Sequence, residues 1–129
     1  MAQNYTFNAT ISMSATSGTG YTQSQSGAYT LNITGVDQIA SGRIDCATDG
    51  DATIMAAPGH GRFVYIKNLD DTNFVKIYDG ASSAADYVGI LKPGEFLMTI
   101  IRGTGTTVAR ADTATVTVEY AAVEIDSNA

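Results

Sequence analysis

Residues 5–16 read Tyr5-Thr6-Phe7-Asn8-Ala9-Thr10-Ile11-Ser12-Met13-Ser14-Ala15-Thr16. Tyr5, Phe7, Ala9, Ile11, Met13 and Ala15 share one parity, and every residue between them is Thr, Ser or Asn. A period of two sustained this long predicts a half-buried β-strand, because successive side chains of a strand point to opposite faces. The polar face carries no charge. Monomeric β proteins protect exposed strands with Lys, Pro or inward-pointing charges, since an open edge templates pairing with other chains. None of these devices occurs here, so a covering strand or a second subunit is expected. Thr6, Asn8, Thr10, Ser12 and Ser14 are the expected interface residues.

Working outward, the first charged side chain is Asp37, so residues 1–36 form a charge-free N-terminal segment expected to contact neighbouring subunits. Ser17 to Ala28 (SGTGYTQSQSGA) is Gly/Ser-rich and reads as a hairpin loop or as an arm to a neighbour. Tyr21 in its middle joins the interface candidates, because aromatics in such loops are often contact anchors; a local packing role is the equal alternative. Tyr29, Leu31 and Ile33 alternate with Thr30, Asn32 and Thr34, and Gly35 ends that strand. Val36 to Arg43 fits either a short strand or a helical turn.

The second half supplies more strands. Asp49-Gly50 and Pro58-Gly59-His60-Gly61 are turns by composition, and Ala52 to Ala56 is a short strand. Phe63–Asn68 and Phe74–Asp79 read as a pair of central strands joined by a polar hairpin loop, since both are apolar on both faces. Asp79 to Asp86 reads as a loop, and strands follow at Tyr87–Leu91 and Phe96–Ile101. Between those two, Lys92-Pro93-Gly94-Glu95 has the chemistry of a type II turn, with Pro presetting φ and Gly supplying positive φ. Gly103 to Thr107 reads as a loop, and Val108 to Ala111 leads into the last strand. There the apolar parity flips between Tyr120 and Val123, which predicts a β-bulge at Ala121-Ala122. No segment has helical periodicity beyond about two turns. The expected fold is all-β: one antiparallel β-sandwich or jelly-roll-like domain over residues 1–129.

Composition narrows the function classes. Hydrophobic residues make up 44% and charged residues 16%, a globular balance rather than a disordered one. Thirteen acids against seven Lys and Arg give a net charge of −6, with no basic stripe for nucleic acid. No apolar run reaches the length of a membrane span. The N-terminus lacks a basic region followed by an apolar core, so synthesis in the cytosol without a cleavable signal is expected.

Chemistry-bearing residues are sparse. His60 is the only histidine and Cys46 the only cysteine, which excludes an intrachain disulfide and a His/Cys zinc site. Cys46 sits among acids and reads as a small buried hydrophobe. His60 has no G-x-S-x-G elbow to accompany it and reads as a loop residue. Asp45, Asp49 and Asp51, and likewise Asp70, Asp71 and Asn73, have the residue types of a calcium loop without its spacing, and turn chemistry explains them. Glu119 and Glu124 read as a solvated strand face flanking the bulge. No enzyme activity and no cofactor are expected. Tyr78, Asp79, Tyr87 and His60 are the residues of an alternative reading, a carbohydrate-binding β-sandwich.

Three stretches of the second half, FVYIKNLDDTNFVKIYDG (63–80), VGILKPGEFLMTIIRG (88–103) and VARADTATVTVEYAAVEI (108–125), form a recognisable series. A strand ending at Lys67-Asn68, a short polar loop from Asp70 to Asn73, the turn Leu91 to Glu95 and the segment Ala109 to Thr113 follow in order. This series resembles small β-rich virion structural proteins of tailed bacteriophages. The resemblance implies an assembly role without catalytic residues. The expected partners are copies of the chain itself, as a trimer or other symmetric oligomer, and the major capsid protein or other virion proteins. The expected location is the virion, after synthesis in the host cytoplasm. Within that class a capsid decoration or cement protein is expected, with a neck, tail or fibre-associated subunit as the alternative.

Overall fold

In the computed structural model the described residues are 3–14, 24–36, 39–56, 61–83, 87–102 and 105–125. They form ten strands and no helix: β1 (Gln3–Ser14), β2 (Ser24–Val36), β3 (Ile39–Cys46), β4 (Ala52–Met55), β5 (Arg62–Asn68), β6 (Val75–Asp79), β7 (Tyr87–Leu91), β8 (Phe96–Ile101), β9 (Thr107–Ala111) and β10 (Val116–Glu124). The alternating Tyr5 stretch is β1. It pairs antiparallel with β2 alone, in register from Tyr5↔Ile33 to Ser14↔Ser24. Ser24 to Ala28, read above as part of a connection, is therefore strand. Ala15, Thr16 and residues 17–23 lie outside the described residues. Of the ambiguous Val36 to Arg43, Val36 ends β2 and Ile39 to Arg43 belong to β3, while residues 37 and 38 lie outside the described residues.

The other eight strands make two four-stranded sheets, ordered β3-β10-β5-β8 and β4-β9-β6-β7. Within them β3 pairs with β10, β4 with β9, β5 with β8 and β6 with β7, all antiparallel. These pairs are nested: the chain behaves as one long ribbon, going out through β3–β6 and back through β7–β10, rolled into two sheets. Pairing of β10 with β5 and of β6 with β9 closes each sheet. Eight antiparallel strands in this order are a jelly roll, one of the architectures that leave few exposed edges.

The core lies between the sheets. Cys46, Val64, Ile66, Val116, Val118 and Ala122 face it from one side, and Met55, Val75, Ile77, Leu91, Ala109 and Ala111 from the other. Burying each of the larger aliphatic side chains contributes roughly 1.5–3 kcal/mol. A free thiol, Cys46, completes this packing.

Three expectations need correction. The first is that Phe63–Asn68 and Phe74–Asp79 form a hairpin. They are central strands, but β5 lies in one sheet and β6 in the other. Residues 69–74 arch across the sandwich, a gap of about 10 Å, and a short polar loop serves that purpose as well as a hairpin. The second is the bulge at Ala121-Ala122. Both alanines pair regularly, with Ser41 and Ala40 on one side and Tyr65 and Val64 on the other. The parity change has another cause: β10 becomes buried on both faces at its end, with Ala122 at 0%, Val123 at 0% and Ile125 at 4% exposure. The third is that Val108–Ala111 leads directly into the last strand. It belongs to β9, in the sheet opposite β10.

The turn at residues 92–95 matches its reading. Gly94 has φ of +80°, and the Glu95 amide donates to the Lys92 carbonyl at 3.0 Å. It too carries the chain between sheets, from β7 to β8. The turn at Pro58–Gly61 falls largely on residues 57–60, outside the described residues.

Candidate functional site

The loop Asp70 to Asn73 and the turn Leu91 to Glu95 meet at one buried side chain, Asn68. Its Nδ2 donates to the carbonyls of Asn73 and Leu91, both at 2.9 Å, and its Oδ1 accepts from the Asp70 amide at 2.8 Å. Its backbone amide donates to Glu95 O, and its carbonyl accepts from the Gly94 amide. Asn68 thus ties the arch to the type II turn. Every hydrogen-bonding atom of the side-chain amide is used, so the role of this cluster is to hold two crossovers together.

Of the two acidic groups only Asp70 to Asn73 is turn chemistry; the turn reading is corrected for Asp45, which lies in β3, and for Asp51, since both bond to partners far along the chain. Asp70 Oδ2 accepts from the Thr72 amide at 3.0 Å and from the Asn73 amide at 2.6 Å, and these backbone hydrogen bonds hold its carboxyl below the usual range. Asp45 accepts from Thr117 Oγ1 at 2.6 Å. Burial works to raise the Asp51 pKa, but hydrogen bonds from the Ser82 hydroxyl and amide and the nearby Arg110 charge outweigh it and hold the carboxyl low. Arg110 also donates to Ser82 Oγ at 3.1 Å and to Thr48 O at 2.9 Å. The cluster pins the loop after β3 to the loop after β6. Among the described residues no three His, Cys, Asp or Glu side chains are placed to hold a metal ion.

Other candidates are equally engaged. Burial, and then the Asp45 charge, push the Cys46 thiol up to about 11, which suppresses the reactive thiolate. Without a bulge, Glu119 and Glu124 fall on opposite faces of β10, which corrects their reading as one solvated face. Glu119 accepts from the Tyr65 hydroxyl at 3.1 Å. Tyr78 and Tyr87 meet edge-on at 6.4 Å, with the Lys76 ammonium 5.7 Å from the Tyr87 ring. Asp79 is bound by Arg62 at 2.9 Å. His60 lies outside the described residues.

The surface feature that stands apart is apolar. Among the described residues, six of the eight exposed large apolar or aromatic side chains lie on β7 and β8: Tyr87, Val88, Ile90, Phe96, Met98 and Ile100. These strands form one rim of the sandwich, each the edge of its sheet. The rim closes tightly enough that a Cβ on Gly89 of β7 would sit 3.6 Å from Leu97 Cδ2 of β8. Neither strand contains a charged residue or proline. The opposite rim is blunted in the way natural edges are. There β3 carries Arg43, Asp45 and Gly42 at φ +142°, and β4 is four residues long with a register shift.

Of the interface residues expected from the sequence, Thr6, Asn8 and Thr10 are exposed on one face of the β1–β2 hairpin. Asn8 accepts a cross-strand hydrogen bond from Thr30 Oγ1 at 2.9 Å. Ser12 and Ser14 pair through their backbones with Ser26 and Ser24; their side chains, and the whole of Tyr21, lie outside the described part. Ala9 and Thr10 of β1 and Phe96 and Met98 of β8 line a cleft of about 440 Å³. Sequence reasoning missed the rim. Its signal was present in the uncharged run FLMTII of β8, but that run reads equally well as a buried central strand. Comparison with protein-family models, with curated proteins and with solved structures gives no match.

Proposed function

We propose that this chain is a structural subunit of an assembled particle, and within that class a capsid decoration or cement protein of a tailed-phage virion. It binds copies of itself, as a trimer or other symmetric oligomer, and the shell beneath. The observation that carries the reading is the uncharged β7/β8 rim, where Phe96 is 63% exposed and Met98 and Ile100 are about 40% exposed. Contiguous exposed apolar surface of this kind marks protein–protein contact, and an uncharged edge adds strand pairing to it. The jelly roll is also the architecture of viral capsid and lectin domains, which supports the reading by fold-level analogy. The acidic balance of the chain keeps free subunits soluble before assembly.

The test is the mass of the purified chain by light scattering after size exclusion, with Met98→Lys beside it, followed by co-sedimentation with capsid shells and with tail tubes. A discrete oligomer weakened by Met98→Lys, and retention on shells, is the expected result. A monomer at high concentration that binds neither structure overturns it, and retention on tail tubes alone moves the subunit to the neck or tail. Tyr87, half exposed beside Tyr78, favours the carbohydrate-binding reading, which glycan-array binding abolished by Tyr87→Ala would establish.

A further inference from the structure

Given that reading as a self-associating subunit, we propose that the rim's occupant is the β1–β2 hairpin of a second copy, with β1 adding as a fifth strand to the free edge of β8. Four observations point to it. First, the hairpin pairs with neither sheet, although its strands are 12 and 13 residues long. An isolated two-stranded ribbon is only marginally stable in water, so it needs a partner that takes up its open edges.

Second, residues 1–36 carry no charged side chain, and neither do the two strands of this rim. Contact between them strips water from no charged side chain, and the charged β3 edge offers no such match. Third, the topology separates the hairpin from its own β8. The hairpin leads into β3 through residues 37 and 38, and β3 lies at the far edge of the order β3-β10-β5-β8. Three strand spacings, roughly 14 Å, lie between. The chain's own hairpin reaches β8 only across the face of the sheet, whereas a neighbour's hairpin can run along the edge.

Fourth, where the chain's own hairpin approaches β8, the fit is loose: the 440 Å³ cleft lies between Ala9 and Thr10 on one side and Phe96 and Met98 on the other. Strand addition along the edge satisfies backbone groups of both strands and covers Phe96 and Met98. Because hairpin and rim are different surfaces, each copy offers one of each, and the contact builds a closed oligomer where the rotation between copies closes.

The experiment uses full-length chains with Thr10→Cys and Met98→Cys, together in one chain and separately in two. Both positions are exposed, and the native Cys46 is buried, with its thiol pKa pushed up to about 11 by burial and the Asp45 charge. After mild oxidation and alkylation, the double variant is expected to run as covalent dimers and larger species. An equal mixture of the single variants is expected to give a mixed disulfide dimer as its main product. Light scattering is read on the same samples. A double variant that closes into a covalent monomer, or oligomers by scattering without cross-links, overturns the hairpin exchange while sparing the subunit reading. Monomers throughout overturn both.

Discussion

Arg62 and Asp79 join the two sheets through the interior: Arg62 Nη1 of β5 donates to Asp79 Oδ1 of β6 at 2.9 Å, with Arg62 fully buried and Asp79 mostly so. The same nitrogen donates to Thr107 Oγ1 of β9 at 3.1 Å. Gly105 backs this contact; a Cβ there would lie 2.9 Å from Asp79 Oδ1 and 3.1 Å from the Gly80 amide nitrogen. A buried pair contributes little net stability compared with an apolar pair of the same shape, but removing one partner leaves a charge without compensation. Asp79→Ala is therefore expected to cost about 3–5 kcal/mol. The double variant Arg62→Met/Asp79→Ala should recover part of that loss. Urea unfolding of the single and double variants checks it, and a loss below about 1 kcal/mol for Asp79→Ala would contradict the coupling.

Asn68→Ala should destabilise the fold by about 2–4 kcal/mol, since it strands two carbonyls and one amide beneath the surface. Asn68→Asp should be worse at neutral pH. Its carboxylate would face the Leu91 and Asn73 carbonyls, which need donors. Chemical denaturation at neutral and mildly acidic pH separates the two effects: Asn68→Asp should regain stability as its carboxyl protonates, and Asn68→Ala should not.

Cys46 should resist thiol reagents in the native state. Its side chain is buried and its pKa raised to about 11, so near neutral pH it is both inaccessible and protonated. A chromogenic disulfide reagent should react slowly with native protein and rapidly after denaturation. Stoichiometric labelling within seconds of mixing would show that β3 opens readily.

Asp70 should contribute to the acid limb of stability. Its folded-state pKa lies below the ordinary 3.8, chiefly through the Asn73 and Thr72 amides. A carboxyl depressed in the folded state contributes stability above its unfolded pKa, and the contribution is lost as pH falls through the folded value. The stability difference between wild type and Asp70→Asn should be full at neutral pH and shrink below about pH 4. Thermal midpoints across that range test it, and a difference that does not change with pH would point to geometry rather than charge.

Assembly should respond to the hairpin as well as to the rim. Thr10→Lys places a charge on an exposed position beside the cleft. Self-association is expected to weaken at least tenfold, about 1.4 kcal/mol, without change in the unfolding midpoint of the dissociated chain. Concentration-dependent light scattering reads the first and circular dichroism the second.

Local physics made much of this molecule legible before its tertiary structure. Alternation from Tyr5 identified β1, and Pro93-Gly94 identified a type II turn whose glycine has the required positive φ. The all-β class followed because period-two patterning and turn chemistry are properties of a few neighbouring residues. Asp70 and Asn73 were legible as turn formers for the same reason: their bonds reach only two or three residues along the chain.

What only the tertiary structure decided is which strand lies beside which. A loop such as 69–74 can close a hairpin or cross a sandwich with the same residues, and β5 and β6 belong to opposite sheets because their apolar faces pack against one another rather than side by side. The parity change near Ala121 had two physical causes available, a bulge or burial on both faces, and only the packing around Val123 chose between them. The uncharged strand β8 could be central or at an edge; its place beside β5 alone turned Phe96, Met98 and Ile100 into surface. Sequence by itself determined periodicity and turn chemistry, which are local. Sheet order, the buried Arg62–Asp79 link and the apolar rim are long-range, set by how eight strands share one core.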